Sequence, residues 1–348
     1  MKINREDFLN ALNRVKAGLS PREFIEQSSC FVFKDGKVMT FNDEVACQLE
    51  LTPEMVGGTM DITGAVQATK LTDILEKLND PELEVRDNEQ GQLEFKGKRK
   101  AFGIIKDSEI FLPIDKVEAP GKWFGLDKEF TQAIGMVQHC VSSDESRFQL
   151  TCVHIHPDHI EACDNLQIMR VNVKTRIKRP VLVRGSSIAT ITDLGMDSIS
   201  LTKSWIHFRN SDGLVMSCRA YAEEYPALDK LMEVEGSPIV IPKGLKDAAT
   251  RATVFASDQQ GDPQVVVKIK DGKVRIVGEG LAGWYKEVSK VAYDGPPISF
   301  AIAPRLLGQI SDKYKEAVIS DHKLRASSEM WSYVTVLGQL TEREPDAE

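Results

Sequence analysis

The sequence predicts an α+β protein in which one unit, a helix followed by paired strands, recurs along the chain. Three segments share the order strand, tight turn, strand, and they lie at 30–51, 150–173 and 265–288. Each of them follows a segment whose apolar residues recur with helical spacing, at 5–17, 127–139 and 242–255. Because self-similarity at a fixed period marks a repeat architecture, this pattern sets the fold prediction.

The turns of these hairpins are the most local signal. Asp35-Gly36 and Asp271-Gly272 favour two-residue hairpin turns, because glycine tolerates the positive φ that such turns require. Pro157-Asp158 occupies the corresponding place in the middle copy. The sequence therefore predicts antiparallel strands on both sides of each turn.

A second half-unit of helix and strands follows each hairpin. Its helices are predicted at 67–79, 184–196 and 304–317, and its strands at 83–105, 199–221 and 317–337. Pro-containing connectors at 111–128 and 224–244 lead into the next helix. We therefore predict three tandem domains, each with two helices backed by antiparallel sheets, and a flexible tail, at 1–120, 121–236, 237–340 and 341–348.

The composition is that of a globular protein, since 42% of the 348 residues are hydrophobic and 28% are charged. The net charge of −8 argues against a protein that coats nucleic acid with a uniformly basic surface. No apolar run reaches the roughly 18 to 20 residues of a membrane span, and the charged N-terminus MKINREDFLN is unlike a signal peptide. We expect a cytoplasmic protein whose six cysteines, which form no CxxC pair, are reduced and buried.

The predicted helices hold slightly more Lys and Arg than Asp and Glu, whereas the rest of the chain is acidic. A mildly basic helical layer on an acidic body suits a protein that presents one face to phosphates. The candidate DNA contacts are the helix cations that a core does not need: Arg14, Lys16, Lys70, Lys77, Lys243, Lys246, Arg251, Arg305, Lys313 and Lys315. Singly, each is also what an ordinary solvated helix surface carries, but together they would form a screened field without sequence preference.

Catalytic signatures are missing from the sequence, which has no GxxxxGK[ST] phosphate loop, no GxSxG elbow and no HExxH helix. His154, His156, His159, Cys163 and Asp164 form the one cluster that invites a metal hypothesis. The other copies of this hairpin carry no ligands at those positions. We therefore predict no catalytic residue, no metal and no cofactor, and a metal-dependent hydrolase is the alternative from another class.

The ordered set of features resembles a known family. The triplicated pattern, the connectors, the stretch ACDNLQIMRV at 162–171 and the ending YVTVLGQL at 333–340 are similar to the β sliding clamp of bacterial DNA polymerase III. The resemblance runs from the first helix to Leu340. It implies three clamp-fold domains that form half of a ring, head-to-tail dimerisation around duplex DNA, and no catalytic chemistry.

Elementary geometry supports the dimer. Helices about 10 Å across give a circumference of about 60 Å for six and about 120 Å for twelve. Only the larger ring clears a duplex roughly 20 Å wide with its solvated side chains. Two copies would meet around a two-fold axis, and each joint would pair a first domain with a third domain.

The resemblance also implies a partner site. In this family, polymerases and clamp-loader subunits insert a short peptide with apolar anchors into a pocket between the second and third domains. The matching positions here are Leu150, Cys163, Asn165, Leu166, Gln167, Ile168, Pro226, Lys230, Leu231, Val334 and Val336. The apolar members would wall a cavity with Pro226 at its rim. The alternative is that these residues only close the seam between two domains.

Two further positions match places where clamps of the family touch DNA, namely the loop with Arg22 and the edge with Arg147-Phe148. Gln149 replaces an aromatic residue at that edge, which argues against base stacking there. Asn165-Leu166-Gln167 stands where the family has Gly-His-Arg, and Leu337-Gly338-Gln339 where it has Pro-Met-Arg. These departures predict an altered peptide preference, as in a clamp that serves its own polymerase, for instance a phage one.

The sequence therefore predicts a homodimeric sliding clamp that encircles duplex DNA and tethers a replicative polymerase. A clamp-like regulator or decoy that binds clamp partners without encircling DNA is the alternative with the same fold.

Overall fold

The computed structural model describes residues 1–57, 62–256 and 263–340. Contacts divide the chain into two compact units. The first unit holds Met1–Ile160 and Val173–Tyr225, and the second holds Glu161–Asn172 and the described residues from Pro226 onward. The division into three domains stays a prediction, and the predicted tail at 341–348 lies outside the described residues.

The described ranges contain eight α-helices, none of which is long and apolar enough to cross a membrane. In chain order they are α1 (Arg5–Arg14), α2 (Pro53–Val56), α3 (Ala68–Lys77), α4 (Lys128–Val137), α5 (Gly185–Ile188), α6 (Asp229–Met232), α7 (Leu245–Ala256) and α8 (Pro304–Lys313). The four helices α1, α3, α4 and α8 fall inside predicted helical segments, and α7 exceeds its predicted segment by one residue.

Strands make up most of the remaining regular structure. In chain order they are β1 (Lys2–Asn4), β2 (Cys30–Lys34), β3 (Lys37–Phe41), β4 (Val45–Glu50), β5 (Gly64–Gln67), β6 (Glu82–Asp87), β7 (Gln92–Lys96), β8 (Ala101–Asp107), β9 (Phe124–Gly125), β10 (Cys152–Ile155), β11 (His159–Cys163), β12 (Gln167–Asn172), β13 (Val181–Arg184), β14 (Ser198–Leu201), β15 (Trp205–Arg209), β16 (Leu214–Arg219), β17 (Ser237–Val240), β18 (Val265–Lys270), β19 (Lys273–Gly280), β20 (Gly283–Lys290), β21 (Ala292–Tyr293), β22 (Ile298–Ile302), β23 (Glu316–Ile319), β24 (Lys323–Ser327) and β25 (Trp331–Val336).

The predicted hairpin turns are confirmed. Asp35 and Gly36 have φ of 51° and 73°, and they join Lys34 to Lys37, which are paired across β2 and β3. Asp271 repeats this geometry with a φ of 51° between β18 and β19. Two successive residues with positive φ form the turn whose twist matches that of the flanking strands.

The first unit is built around one long antiparallel sheet. Its strand order is β1-β6-β7-β8-β5-β2-β3-β4-β16-β15-β14-β9. The pairing of β4 with β16 joins strands from the first and second sequence repeats, with Leu49 opposite Leu214. Helix α1 covers part of this sheet, since the rings of Phe8 and Phe33 lie 6.2 Å apart. Helix α1 begins where the Asn4 side chain accepts two backbone N–H groups, which satisfies donors that the helix itself leaves unpaired.

The prediction of one helix over 184–196 is wrong in its length. Only α5 is α-helical, and a 3-10 helix at Ala189–Thr192 follows it before Gly195 turns the chain with a φ of 59°. After Arg184 the segment has a glycine and two serines and continues with several β-branched residues. These residue types are weak helix formers, so apolar spacing alone could not sustain four turns.

The second unit contains two sheets. One has the order β20-β19-β18-β22, and α7 packs on it. A side chain at Gly278 would place its Cβ 2.0 Å from the Ala252 carbonyl oxygen, so glycine permits the close approach of α7 to β19. In the other sheet the strands of this unit follow the order β12-β25-β24-β23-β17-β21, and the rings of Tyr314 and Tyr333 stack at 4.9 Å.

All six cysteines are buried and none forms a disulfide. Burial raises the pKa of the Cys47 thiol to about 12 and that of Cys152 to about 11. Because the thiolate is the reactive form, these side chains are packing groups at neutral pH.

Candidate functional site

All predicted pocket residues except Leu150 belong to the second unit. Leu150 is buried in the first unit, in a 3-10 helix at Phe148–Thr151. The others lie on three neighbouring elements of the second unit: the end of β11 with the turn into β12, strand β25, and the segment that forms α6.

Strand pairing decides which of these side chains share a face. Ile168 of β12 is directly opposite Val334 of β25, so both point to the same side of the sheet. Gln167 is opposite Thr335 and points to the other side, where it accepts a hydrogen bond from the Tyr333 hydroxyl at 3.0 Å. The structure therefore places Gln167 beneath the sheet, away from the other predicted pocket residues.

Helix α6 lies against the face that carries Ile168 and Val334. Arg170 fixes it there, because its guanidinium donates to Asp229 of α6 at 2.6 Å and to Glu161 of β11 at 2.7 Å. Burial opposes the charge of Arg170, but the carboxylates of Asp229 and Glu161 raise its pKa overall. The Lys323 ammonium group adds a hydrogen bond to the Leu231 carbonyl oxygen at 3.1 Å.

Three apolar side chains remain exposed at this face. Leu166 is 40% exposed, Leu231 49% and Val336 42%. The Val336 N–H donates to the Leu166 carbonyl oxygen, and Lys323, which pairs with Val336, reaches the backbone of Leu231. Leu166, Leu231 and Val336 therefore lie on adjoining backbone segments of the second unit, and together they are called the apolar patch below. A cavity of about 440 Å³ adjoins it, and Leu166 and Val336 line that cavity as well.

The remaining pocket predictions have different surroundings. Cys163 is buried, and Asn165 is exposed in the turn before β12. Pro226 and Lys230 are exposed, at the start of the segment that leads into α6 and within α6 itself. Asp164 accepts the N–H groups of Leu166 and Gln167, which holds the turn in shape.

The predicted DNA contacts divide into paired and unpaired cations. Arg14 forms an ion pair with Asp212 at 3.0 Å, Lys246 with Asp312 at 2.6 Å, and Arg251 with Glu287 at 2.7 Å. Those without an ion pair to another described residue are Lys16, Arg22, Lys70, Lys77, Lys243, Arg305 and Lys315. Arg147 and Lys313, the other two predicted cations, each make an interaction within the protein.

The edge with Arg147-Phe148 is less open than the resemblance implied. The Phe148 ring contacts Tyr221 edge-on at 4.7 Å between centroids, and the Arg184 guanidinium lies 4.8 Å from its centre. Both contacts are within the first unit and hold the ring against the protein surface.

An aromatic residue that the sequence analysis overlooked is far more exposed. Phe24 is 85% exposed and lies two residues after Arg22. Its loop is ordered, since the Glu23 carboxylate accepts hydrogen bonds from the Gln27 N–H at 2.5 Å and the Ser29 hydroxyl at 2.9 Å. In the sequence, Phe24 could have been identified as exposed because it is the one aromatic residue of the stretch SPREF.

Three histidines of the candidate metal cluster, His154, His156 and His159, lie close together in the first unit. The rings of His156 and His159 lie 4.4 Å apart at an interplanar angle of 20°, and His154 stacks on Tyr225 at 4.8 Å. His154 and His159 instead meet edge-on at 6.0 Å between centroids, and a ring nitrogen of one lies within 4.8 Å of a ring nitrogen of the other. The absence of a metal therefore stays a prediction. Asp164, which the metal hypothesis also used, caps its own turn as described above.

Comparison with known proteins supports one fold. No protein-family model matches the chain. The β sliding clamp of Rickettsia felis is 24% identical over 247 residues, which are 66% of this chain and 65% of that protein. The chain thus matches just under two thirds of the length of that relative.

Solved structures match over nearly the whole length. The DNA polymerase III subunit β of Pseudomonas aeruginosa has a TM-score of 0.80 at 16% identity, covering 98% of this chain and 100% of that chain. The Streptococcus pneumoniae β chain has a TM-score of 0.82 at 19% identity, with 97% and 99% covered. A Bartonella birtlesii sliding clamp bound to griselimycin has 0.83 at 16%, with 98% and 99% covered. The chain has the fold of these β clamps, which confirms the resemblance and the predicted fold class.

Proposed function

We propose that this chain is a DNA sliding clamp, which dimerises into a ring around duplex DNA and tethers a polymerase through a short peptide. The observation that carries the proposal is the apolar patch, because its three residues, which the sequence resemblance assigns to the partner site, are exposed in a chain with the β-clamp fold. The role is mechanical, and no step of it requires a catalytic side chain or a cofactor.

The peptide step rests on exposed apolar surface. Leu166, Leu231 and Val336 are held by strand pairing and by α6, so their exposure is a property of the fold. A cluster of exposed apolar side chains beside a cavity gains free energy when another apolar group removes it from water. The residues beneath it, Ile168 and Val334, are buried and give the site a rigid floor.

The DNA step rests on charge without fixed contacts. Unpaired cations on α3, on α8 and near α1 and α7 can each meet a phosphate without first breaking an ion pair. Such contacts are screened by salt and carry no sequence information, so the protein would move along a duplex. Retention on DNA would then come from the closed ring.

The dimer step rests on two strand edges. Residues 101–105 of β8 pair with β7 on one side only, because β5 pairs with β8 just at Lys106 and Asp107. Strand β20 is the last strand of its sheet. Each edge exposes large apolar side chains, Ile105 on β8 and Trp284 and Val288 on β20. Unprotected edges of this kind pair with other chains, and two identical joints between β8 and β20 would close a two-fold dimer.

Light scattering of Ile105→Lys/Val288→Lys tests the ring. The unsubstituted protein is expected at twice 38.8 kDa, and the variant at 38.8 kDa, since two charges would face an apolar edge. Val240→Lys, which changes an exposed residue of β17, is the matched control and should stay dimeric. A monomeric unsubstituted protein would favour the decoy, which binds clamp partners without enclosing DNA.

A further inference from the structure

The cavity beside the apolar patch has its own lining and volume. It lies within the second unit, and its walls come from the turn before β12, β25 with the residues that follow it, β22, the start of α8, α7 and residues 263–264. Leu166 and Val336 are shared with the apolar patch, while Pro304, Leu306 and Ile302 add further apolar surface. We call it the α8 cavity. At about 440 Å³ it falls in the size range of sites for small ligands or a few side chains.

One wall of the α8 cavity is fixed by the chain after β25. The Gly338 N–H donates to the Ala301 carbonyl oxygen at 2.8 Å, and the Ala301 N–H donates back to Gly338 at 2.9 Å. This two-way pairing ties the wall to β22. Gly338 contributes no side chain, and a Cβ there would lie only 3.1 Å from the Ala301 oxygen. Backbone hydrogen bonds therefore hold this wall of the cavity in place.

Arg305 is the one charged residue among the described residues that line the α8 cavity. It is the second residue of α8 and is exposed. No described carboxylate forms an ion pair with it. An unneutralised guanidinium at the rim of an apolar cavity attracts a carboxylate whose neighbouring group is apolar.

Arg305 also lines a second site, a groove next to the α8 cavity. It lies between α7 and α8, has a volume of about 590 Å³, and is lined by Lys246, Asp312 and Arg305. There the Lys246 ammonium group is already neutralised by Asp312 at 2.6 Å. Both sites are mainly apolar and share Arg305, but the groove also holds this ion pair, whereas Arg305 is the one charged residue in the described lining of the α8 cavity.

We infer that Arg305 reads an acidic side chain of the partner peptide, next to the apolar residue that the α8 cavity holds. This inference rests on the proposed peptide function and adds a specificity determinant to it. It also moves Arg305 from the predicted DNA contacts to the peptide site. A duplex is the less suitable occupant, because its phosphates need several cations and its bases are paired and stacked inside the helix, out of reach of the cavity.

Two labelled peptides test the inference. Both have the core Gly-Leu-Asp-Phe-Gly with an amidated C-terminus and the same N-terminal fluorophore, and in the second peptide Asn replaces Asp. Fluorescence polarisation should show about three- to tenfold tighter binding of the Asp peptide to the unsubstituted protein. Arg305→Gln should remove that ratio and leave the affinity for the Asn peptide unchanged. Lys315→Gln removes a cation that also lacks an ion pair and lies outside the cavity, so it should keep the ratio.

Other outcomes overturn the inference in distinguishable ways. If both peptides bind equally and the patch variant Leu231→Glu abolishes both, the peptide site stands and the role of Arg305 falls. If Arg305→Gln leaves the ratio intact but weakens duplex binding, Arg305 belongs to the DNA surface. If neither peptide binds the unsubstituted protein, the inference falls together with the peptide step of the proposed function.

Discussion

The apolar patch and the helix cations differ in how far the fold itself defines them. Leu166, Leu231 and Val336 are brought together by the β12–β25 pairing and by α6, and all three belong to one unit. The predicted DNA contacts are spread over both units, and three of them are held by acidic neighbours. The apolar patch therefore has a fixed shape, whereas the helix cations share a positive charge but no common geometry.

This difference follows from what each surface is proposed to bind. A peptide with apolar anchors gains affinity only from a close fit, so its site must be rigid and contiguous. A duplex that slides must not be held in one place, so cations that are dispersed and screened suit it. The patch is therefore expected to respond sharply to single changes, and the cations gradually to several.

The largest effect is expected at the patch. Leu231→Glu/Val336→Glu places two charges on the surface that the peptide would desolvate, and should weaken peptide binding at least about 100-fold. Fluorescence polarisation with the Asp peptide measures this loss. Met330→Glu, an exposed apolar residue in the β24–β25 turn, is the control and should bind normally. Equal losses in both variants would mean that the patch is no special site.

The support of the patch should also be sensitive. Arg170→Ala leaves Glu161, which is 3% exposed, without its cation, and should lower the free energy of unfolding by about 3 kcal/mol. Arg176→Ala is the matched control, because its ion pair with Asp127 is exposed on both sides. Urea denaturation measures both variants. Similar costs in the two would contradict the claim that Arg170 neutralises a buried carboxylate.

The cations should act collectively and more weakly. Lys70→Gln/Lys77→Gln/Lys243→Gln removes three unpaired charges, and we expect duplex binding about tenfold weaker, with a shallower dependence on salt. Arg14→Gln/Lys246→Gln/Arg251→Gln removes three paired charges and should flatten the salt dependence less. Titrations at several salt concentrations compare the two sets. A larger change in the paired set would reverse the assignment of the DNA-facing cations.

The smallest effect concerns acid stability of the first unit. Burial lowers the pKa of His207 to about 4, against an opposing influence of the Glu118 carboxylate. Because the unfolded chain binds a proton near pH 6.5 and the folded chain does not, stability is full above that pH and falls as the pH drops towards 4. The loss between pH 6.5 and 5.5 should be about 1 kcal/mol. NMR titration of the imidazole measures this pKa directly, and a value near 6.5 would contradict its burial in the neutral form.

Local features of the fold could be predicted from the sequence, and non-local ones could not. The Asp-Gly turns were identified because two adjacent residues determine their backbone. Helix α6 has only four residues, too few to show a helical spacing of apolar residues. Leu231 could therefore be identified as a candidate only through the family resemblance. The ion pair of Arg251 with Glu287 joins residues 36 positions apart, which helix charge counting cannot anticipate. The side of the sheet to which Gln167 points depends on the register between β12 and β25, two strands that are far apart in the sequence.

The central claim is that the protein is held on DNA by enclosing it. Protein loaded by a clamp loader onto nicked circular duplex should remain bound through gel filtration in high salt, and cutting the same circles with a restriction enzyme should release it within minutes. Equal retention on circles and on cut molecules would show ordinary surface binding and contradict the account.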